Sequence, residues 1–134
     1  MRPPLALVLA LALSAACSSS STATDRPQPK VADFSSGSCR SVAEPVLRLG
    51  RELDTLSSID MPPPDLLEKL KTAQAALRAL QPSVEPSLAP TVEKLVGSVG
   101  LVRLRADSNS YERQLAVTAL EDYDAVIAAC TGGP

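Results

Sequence analysis

The stretch Arg105-Ala106-Asp107-Ser108-Asn109-Ser110-Tyr111-Glu112-Arg113 decides how many helices this chain has. Upstream of it, Leu88, Val92, Leu95, Val99 and Val102 recur at alternating steps of four and three, the spacing of one helix face. The same register continues without a slip through Ala106, Asn109, Arg113 and Ala116 to Cys130. One long helix and two shorter ones therefore compete. In a single helix Asn109 and Arg113 would occupy the apolar seam. Asp107-Ser108-Asn109-Ser110 is instead a polar, turn-prone run, and a break there yields segments of similar length to the others.

Two cysteines sharpen the choice. Cys39 lies just before the first helical pattern and Cys130 closes the last. In an antiparallel bundle of four helices the start of the first and the end of the fourth lie at the same end. With only three elements they would sit ~30 Å apart, whereas a disulfide needs its Cα atoms within about 7 Å. A Cys39–Cys130 bond thus implies an all-α, antiparallel up-down four-helix bundle closed by one disulfide.

Working outward, the helices are expected at about 41–57, 64–81, 87–106 and 110–131. Ser41-Val42-Ala43-Glu44 has capping-box spacing, and Pro45 is placed in the first turn, where it is tolerated. Val42, Val46, Leu49, Leu53 and Leu56 form the first stripe. Pro62-Pro63-Pro64 breaks the chain, and Pro64 can open the second helix because its missing amide would be unpaired there. Leu66, Leu70, Ala73, Leu77 and Leu80 make the second stripe, widened by Leu67 and Ala76, and Pro82 ends it. Ser87 is the expected N-cap of the third helix and Ser110 that of the fourth. The fourth carries Leu115, Ala116, Ala119, Leu120, Tyr123, Val126, Ile127 and Cys130, with a glycine exit at Gly132. Gly97 and Gly100 sit within the third helix, where close approach of a neighbouring helix accounts for them better than a notch for a ligand.

Composition bounds the chemistry. In 134 residues the only aromatics are Phe34, Tyr111 and Tyr123, and histidine is absent. The core must be aliphatic, which suits close-packed helices more than a β-sandwich. Without histidine the chain lacks the usual general base, the commonest metal ligand and the physiological pH switch. The net charge of −2 and the lack of a basic patch leave nucleic-acid binding without an electrostatic footprint.

The N-terminus reads as an address. Met1-Arg2 is a short positive region, Leu5–Leu13 is unbroken apolar sequence, and Ser14-Ala15-Ala16 are small. This is the pattern of a secretory signal peptide over 1–16; the apolar run is about half the ~20 residues of a membrane-spanning helix. Leu13-Ser14-Ala15-Ala16-Cys17 resembles the lipobox of bacterial lipoproteins, with Ser14 where that family prefers leucine. The resemblance covers only residues 1–17 and implies lipid on Cys17 and a membrane partner reached through it. Ordinary cleavage after Ala16, or after Ala23 with loss of Cys17, also fits small-x-small. Residues 17–38 are rich in serine and proline and are expected to be a disordered tether. Either fate of Cys17 leaves Cys39 and Cys130 as an even pair in an oxidising compartment.

The residue patterns define no catalytic, cofactor-binding or metal site. Glu121, Asp122 and Asp124 are the densest acidic cluster, with Glu121 and Asp124 on one helix face; a solvated face accounts for them better than a cation site or an acid–base pair. Asp107-Ser108-Asn109-Ser110 lacks the glycine and the terminal glutamate of a calcium loop. Three functions fit. The leading expectation is an exported cell-envelope helical protein, lipid-anchored at the outer face of the cell membrane or extracellular, that binds or assists a protein partner. The others are a carrier of a small apolar ligand in the bundle core and, least favoured, a secreted enzyme.

A crosslink spanning so long a loop contributes roughly 4 to 5 kcal/mol in the chain-entropy model, a large share of a domain's ~5–15 kcal/mol. Replacing Cys39 or Cys130 by serine is expected to lower the melting temperature to that of the reduced wild type; equal melting with and without reductant would refute the crosslink.

Overall fold

The computed structural model describes residues 28–132. The expected signal peptide, Cys17 and the first part of the expected tether lie outside the described residues. Within them the chain forms α1 (Ser38–Leu56), α2 (Pro64–Leu80), α3 (Ala89–Asp107) and α4 (Arg113–Thr131), with short 3-10 turns at Val31–Asp33 and Gln81–Ser83 and no strand. Consecutive helices pack on one another, and α1 also packs on α4, so the four close into an antiparallel ring. Cys39 and Cys130 are bonded, their Cα atoms 5.3 Å apart.

The core follows the four–three stripes. Val42, Val46, Leu49, Leu53 and Leu56 of α1 are all fully buried, as are Leu70 and Leu77 of α2, Val92, Leu95, Val99 and Val102 of α3, and Ala116, Ala119, Val126 and Cys130 of α4. Each large aliphatic side chain so placed is worth roughly 1.5–3 kcal/mol over leaving it in water. Helix α1 goes further: Ala43, Pro45, Leu47 and Gly50 are buried as well, so α1 is covered on most of its circumference. Ala76, expected to widen the α2 stripe, is exposed, and Gln74 takes a buried place instead.

Helix boundaries depart from expectation at three starts. Helix α1 begins at Ser38, before the expected cap. Gly37 enters it at φ 88°, a backbone state only glycine adopts freely. The Gly37 carbonyl then accepts from the Ser41 amide at 3.1 Å and the Ser41 hydroxyl at 3.2 Å, so Ser41 bonds backwards instead of capping. Pro45 therefore falls inside the helix, where it can donate no amide to the Ser41 carbonyl. Helix α3 starts at Ala89, not at 87: the Leu88 and Ala89 amides both reach the Glu85 carbonyl at 3.0 Å, and the Ser87 hydroxyl turns to the Glu85 carboxylate. Helix α4 starts at Arg113, and Ser110 does not cap it. Ser110 instead finishes α3: its amide donates to the Arg105 carbonyl at 2.8 Å and the Asn109 amide to Ala106 at 3.2 Å, with Asn109 at φ 55°. That is a Schellman exit with asparagine in the left-handed position, and it is what divides α3 from α4.

The tether expected over 17–38 ends sooner than its composition suggests. Phe34 is 1 % exposed. The Arg40 guanidinium donates to the Phe34 carbonyl through Nε (3.1 Å) and Nη2 (2.8 Å). The Ser35 amide and hydroxyl both donate to the Cys130 carbonyl, at 2.7 and 2.9 Å. Residues 31–37 are thus a strap laid across the disulfide end of the bundle.

Tyr123, 2 % exposed, lies against Gly50, where a Cβ would fall 2.5 Å from the ring. Gly97 is different: a Cβ there meets nothing within 4 Å. Close helix approach therefore explains Gly100, whose Cβ would stand 3.3 Å from Gln74, but not Gly97. Gly50→Ala is expected to cost about 1–3 kcal/mol through overpacking, while Gly97→Ala should gain up to about 1 kcal/mol from helix propensity. Urea unfolding of the two variants checks both signs.

Candidate binding surface

Two buried polar groups tie the helices together. Gln74 of α2 is 1 % exposed; its amide donates to the Val96 carbonyl of α3 at 3.0 Å, and its carbonyl oxygen accepts from Arg103. Gly100 leaves the room this needs. Asp122 of α4 accepts from the Ser98 hydroxyl of α3 and has Lys94 at 3.6 Å. The acidic cluster noted in the sequence is therefore divided. Asp122 turns into the α3–α4 seam, while Glu121 and Asp124 are exposed. Among the described residues no three His, Cys, Asp or Glu side chains converge as a metal would require.

The pole opposite the disulfide is fastened by its own pair. Arg113 at the start of α4 holds Asp60 of the α1–α2 loop with two bonds, Nε–Oδ1 at 2.6 Å and Nη2–Oδ2 at 2.9 Å. Tyr111 donates its hydroxyl to the Leu56 carbonyl at the end of α1. The Arg113 guanidinium lowers the Asp60 carboxyl below its ordinary value of 3.8, and burial raises the Tyr111 phenol. The sequence marked Arg113 only as a residue unfit for an apolar seam; here it bridges two loops.

An open cleft runs between α1 and α2. It encloses about 470 Å³ and is lined by Arg48, Arg51 and Glu52 from α1 and by Asp65, Glu68, Lys69, Thr72 and Ala73 from α2. Ala73 is the one apolar residue among those that line it, and it is 2 % exposed. Arg48 pairs with Glu44 at 3.5 Å on the outer wall. The walls are unlike: two of the three charges from α1 are basic, and two of the three from α2 are acidic. The spatial pairing of α1 with α2 is what makes these two faces one surface. A second cleft at the far pole is lined by Asp60, Met61, Pro62, Ala106, Asn109 and Tyr111, and Met61 there is 87 % exposed.

The chain matches no protein-family model, no curated protein and no solved structure. No helix among the described residues is long and apolar enough to cross a membrane.

The Asp60–Arg113 pair carries a pH signature. Because the folded carboxyl titrates below the unfolded one, its contribution is complete above the unfolded value and is lost as pH falls through the folded value. The difference in urea midpoint between wild type and Asp60→Asn is expected to be constant above about pH 5 and to close below 3.8. A difference unchanged by acid would show that the pair contributes nothing.

Proposed function

We propose that this chain is an exported cell-envelope protein, anchored through lipid on Cys17, whose helical domain binds a protein partner in the α1–α2 groove. The groove carries this reading: a cleft between two helices, one wall mainly basic and the other mainly acidic, suits a segment of another chain, and its rim charges supply orientation more than affinity. The N-terminal sequence supports export, and the oxidised Cys39–Cys130 pair fits a compartment outside the reducing cytosol. The strap brings the chain onto the domain at the disulfide pole, which would set that pole toward the membrane and leave the groove on the flank of the domain. The clefts described above open outward, which favours a partner at the surface over an apolar ligand carried in the core.

Two measurements test this. The intact mass of the protein recovered from membranes is expected to begin at Cys17, to include diacyl and N-acyl lipid, and to be two hydrogens below the reduced mass; an unmodified chain starting elsewhere would refute anchoring. A photo-crosslinker at Thr72 in whole cells is expected to capture a discrete partner that the same group at Glu121 does not. Capture by both or by neither would refute the groove, and Arg51→Glu combined with Glu68→Lys should weaken the Thr72 adduct at least tenfold.

A further inference from the structure

The strap does more than continue the tether onto the domain. Cys130 is wholly buried and Cys39 is 8 % exposed, so the disulfide meets solvent only on the Cys39 side. That side faces a cleft of about 320 Å³ lined by Ser35, Ser36, Cys39, Glu85, Ser87, Leu88 and Ala129. One wall is the strap. The other is the turn leading into α3, joined to the start of α1 by the Glu85 amide, which donates to the Ser38 hydroxyl at 2.9 Å. The Glu85 carboxylate lies over Gly37, 3.8 Å from where a Cβ would stand. The strap is held to the helices by few bonds: the Ser35 amide and hydroxyl to the Cys130 carbonyl, and Arg40 to the Phe34 and Ala32 carbonyls.

We propose that the strap is a lid over the Cys39–Cys130 disulfide, and that a thiolate reaches the bond at the Cys39 sulfur, through the cleft beside Glu85, when the strap lifts. The physical basis is a difference in opening cost. Lifting residues 31–37 gives up one buried phenylalanine and a handful of hydrogen bonds, whereas exposing Cys130 requires the bundle itself to open; local openings of this kind occur far more often than global unfolding. In the exchange, the attacking thiolate forms a bond to Cys39 Sγ, the Cys39–Cys130 bond breaks, and Cys130 leaves with the electron pair and takes a proton from water. A second thiolate then displaces Cys39, so two external thiols are oxidised to one disulfide as the protein gains two electrons. Glu85 places a fixed negative charge at the mouth and so disfavours anionic reductants. A pull on the strap, from the tether or from a partner, would make the bond reducible without unfolding the helices.

The test uses the full chain carrying Cys17→Ser, so that no third thiol exchanges. The protein is treated with mercaptoacetate or with cysteamine, quenched with iodoacetamide and mapped by peptide mass. The expected first product carries the reagent on Cys39 and the alkyl group on Cys130; the reverse pattern would overturn the proposal. Arg40→Ala should speed the exchange about tenfold, as loss of a charge-assisted hydrogen bond at the lid implies. The wild-type rate should be almost flat in low urea, because lifting the strap exposes little surface. A rate that climbs with the full slope of global unfolding would show that only global opening exposes the bond, and a rate that ignores Arg40→Ala would show that the strap does not gate it. Glu85→Gln should raise the mercaptoacetate rate several-fold and leave or lower that of cysteamine; equal changes for both reagents would place the route elsewhere.

Discussion

The bond between Cys39 and Cys130 is the constraint on which the rest of this structure depends. It ties the first turn of α1 to the last turn of α4, and that single distance requires an even number of helices between them. Its effect extends past the cysteines. The carbonyl of Cys130 is where Ser35 fastens the strap, so the same crosslinked corner organises the approach of the N-terminal segment. A core with one phenylalanine and two tyrosines gains less from burial than an aromatic-rich one of equal length. Restricting the unfolded chain compensates for part of that shortfall.

The interior shows how an aliphatic core closes without large side chains. Helix α1 is the axis of the packing, since it alone buries residues on nearly every side. Gly50 makes that possible: with no Cβ it lets the Tyr123 ring lie flat against the α1 backbone. The seams farther from α1 use polar ties. Gln74 with Val96 and Arg103 joins α2 to α3, and Asp122 with Ser98 joins α3 to α4. Such ties cost desolvation, but they fix the register of two helices whose facing side chains are small and interchangeable.

Much of the fold was legible in the residue pattern, because a four–three spacing of Leu and Val has only one economical use. The stripes of α1 and α3 are buried to the last member, and Pro64 and Gly132 sit at the helix ends their chemistry indicates. The helix starts were less legible. Ser41, Ser87 and Ser110 all have the composition of caps, yet each hydroxyl is drawn to another partner; the turn-prone run around Asn109 marked the break between α3 and α4 but not the left-handed residue that ends α3. Phe34 was hidden because its neighbours have a tether's composition; only the space at the end of the bundle gives it a place. The groove was hidden for a different reason. Its walls are ordinary solvated faces, and their meeting depends on which helices are neighbours. Gln74 and Asp122 look like surface residues until the opposite helix supplies a carbonyl and a hydroxyl.

The disulfide also makes the domain a closed covalent circuit from Cys39 to Cys130, with every interhelical loop inside it. The loop that joins α1 to α2 carries Met61 at 87 % exposure, the kind of loop tip that proteases find first. A single cut there would leave two pieces still joined through sulfur. The severed ends would lie at the pole that Asp60 and Arg113 fasten, and refolding would remain a unimolecular event. Such tolerance of nicking is a property the helices alone would not confer.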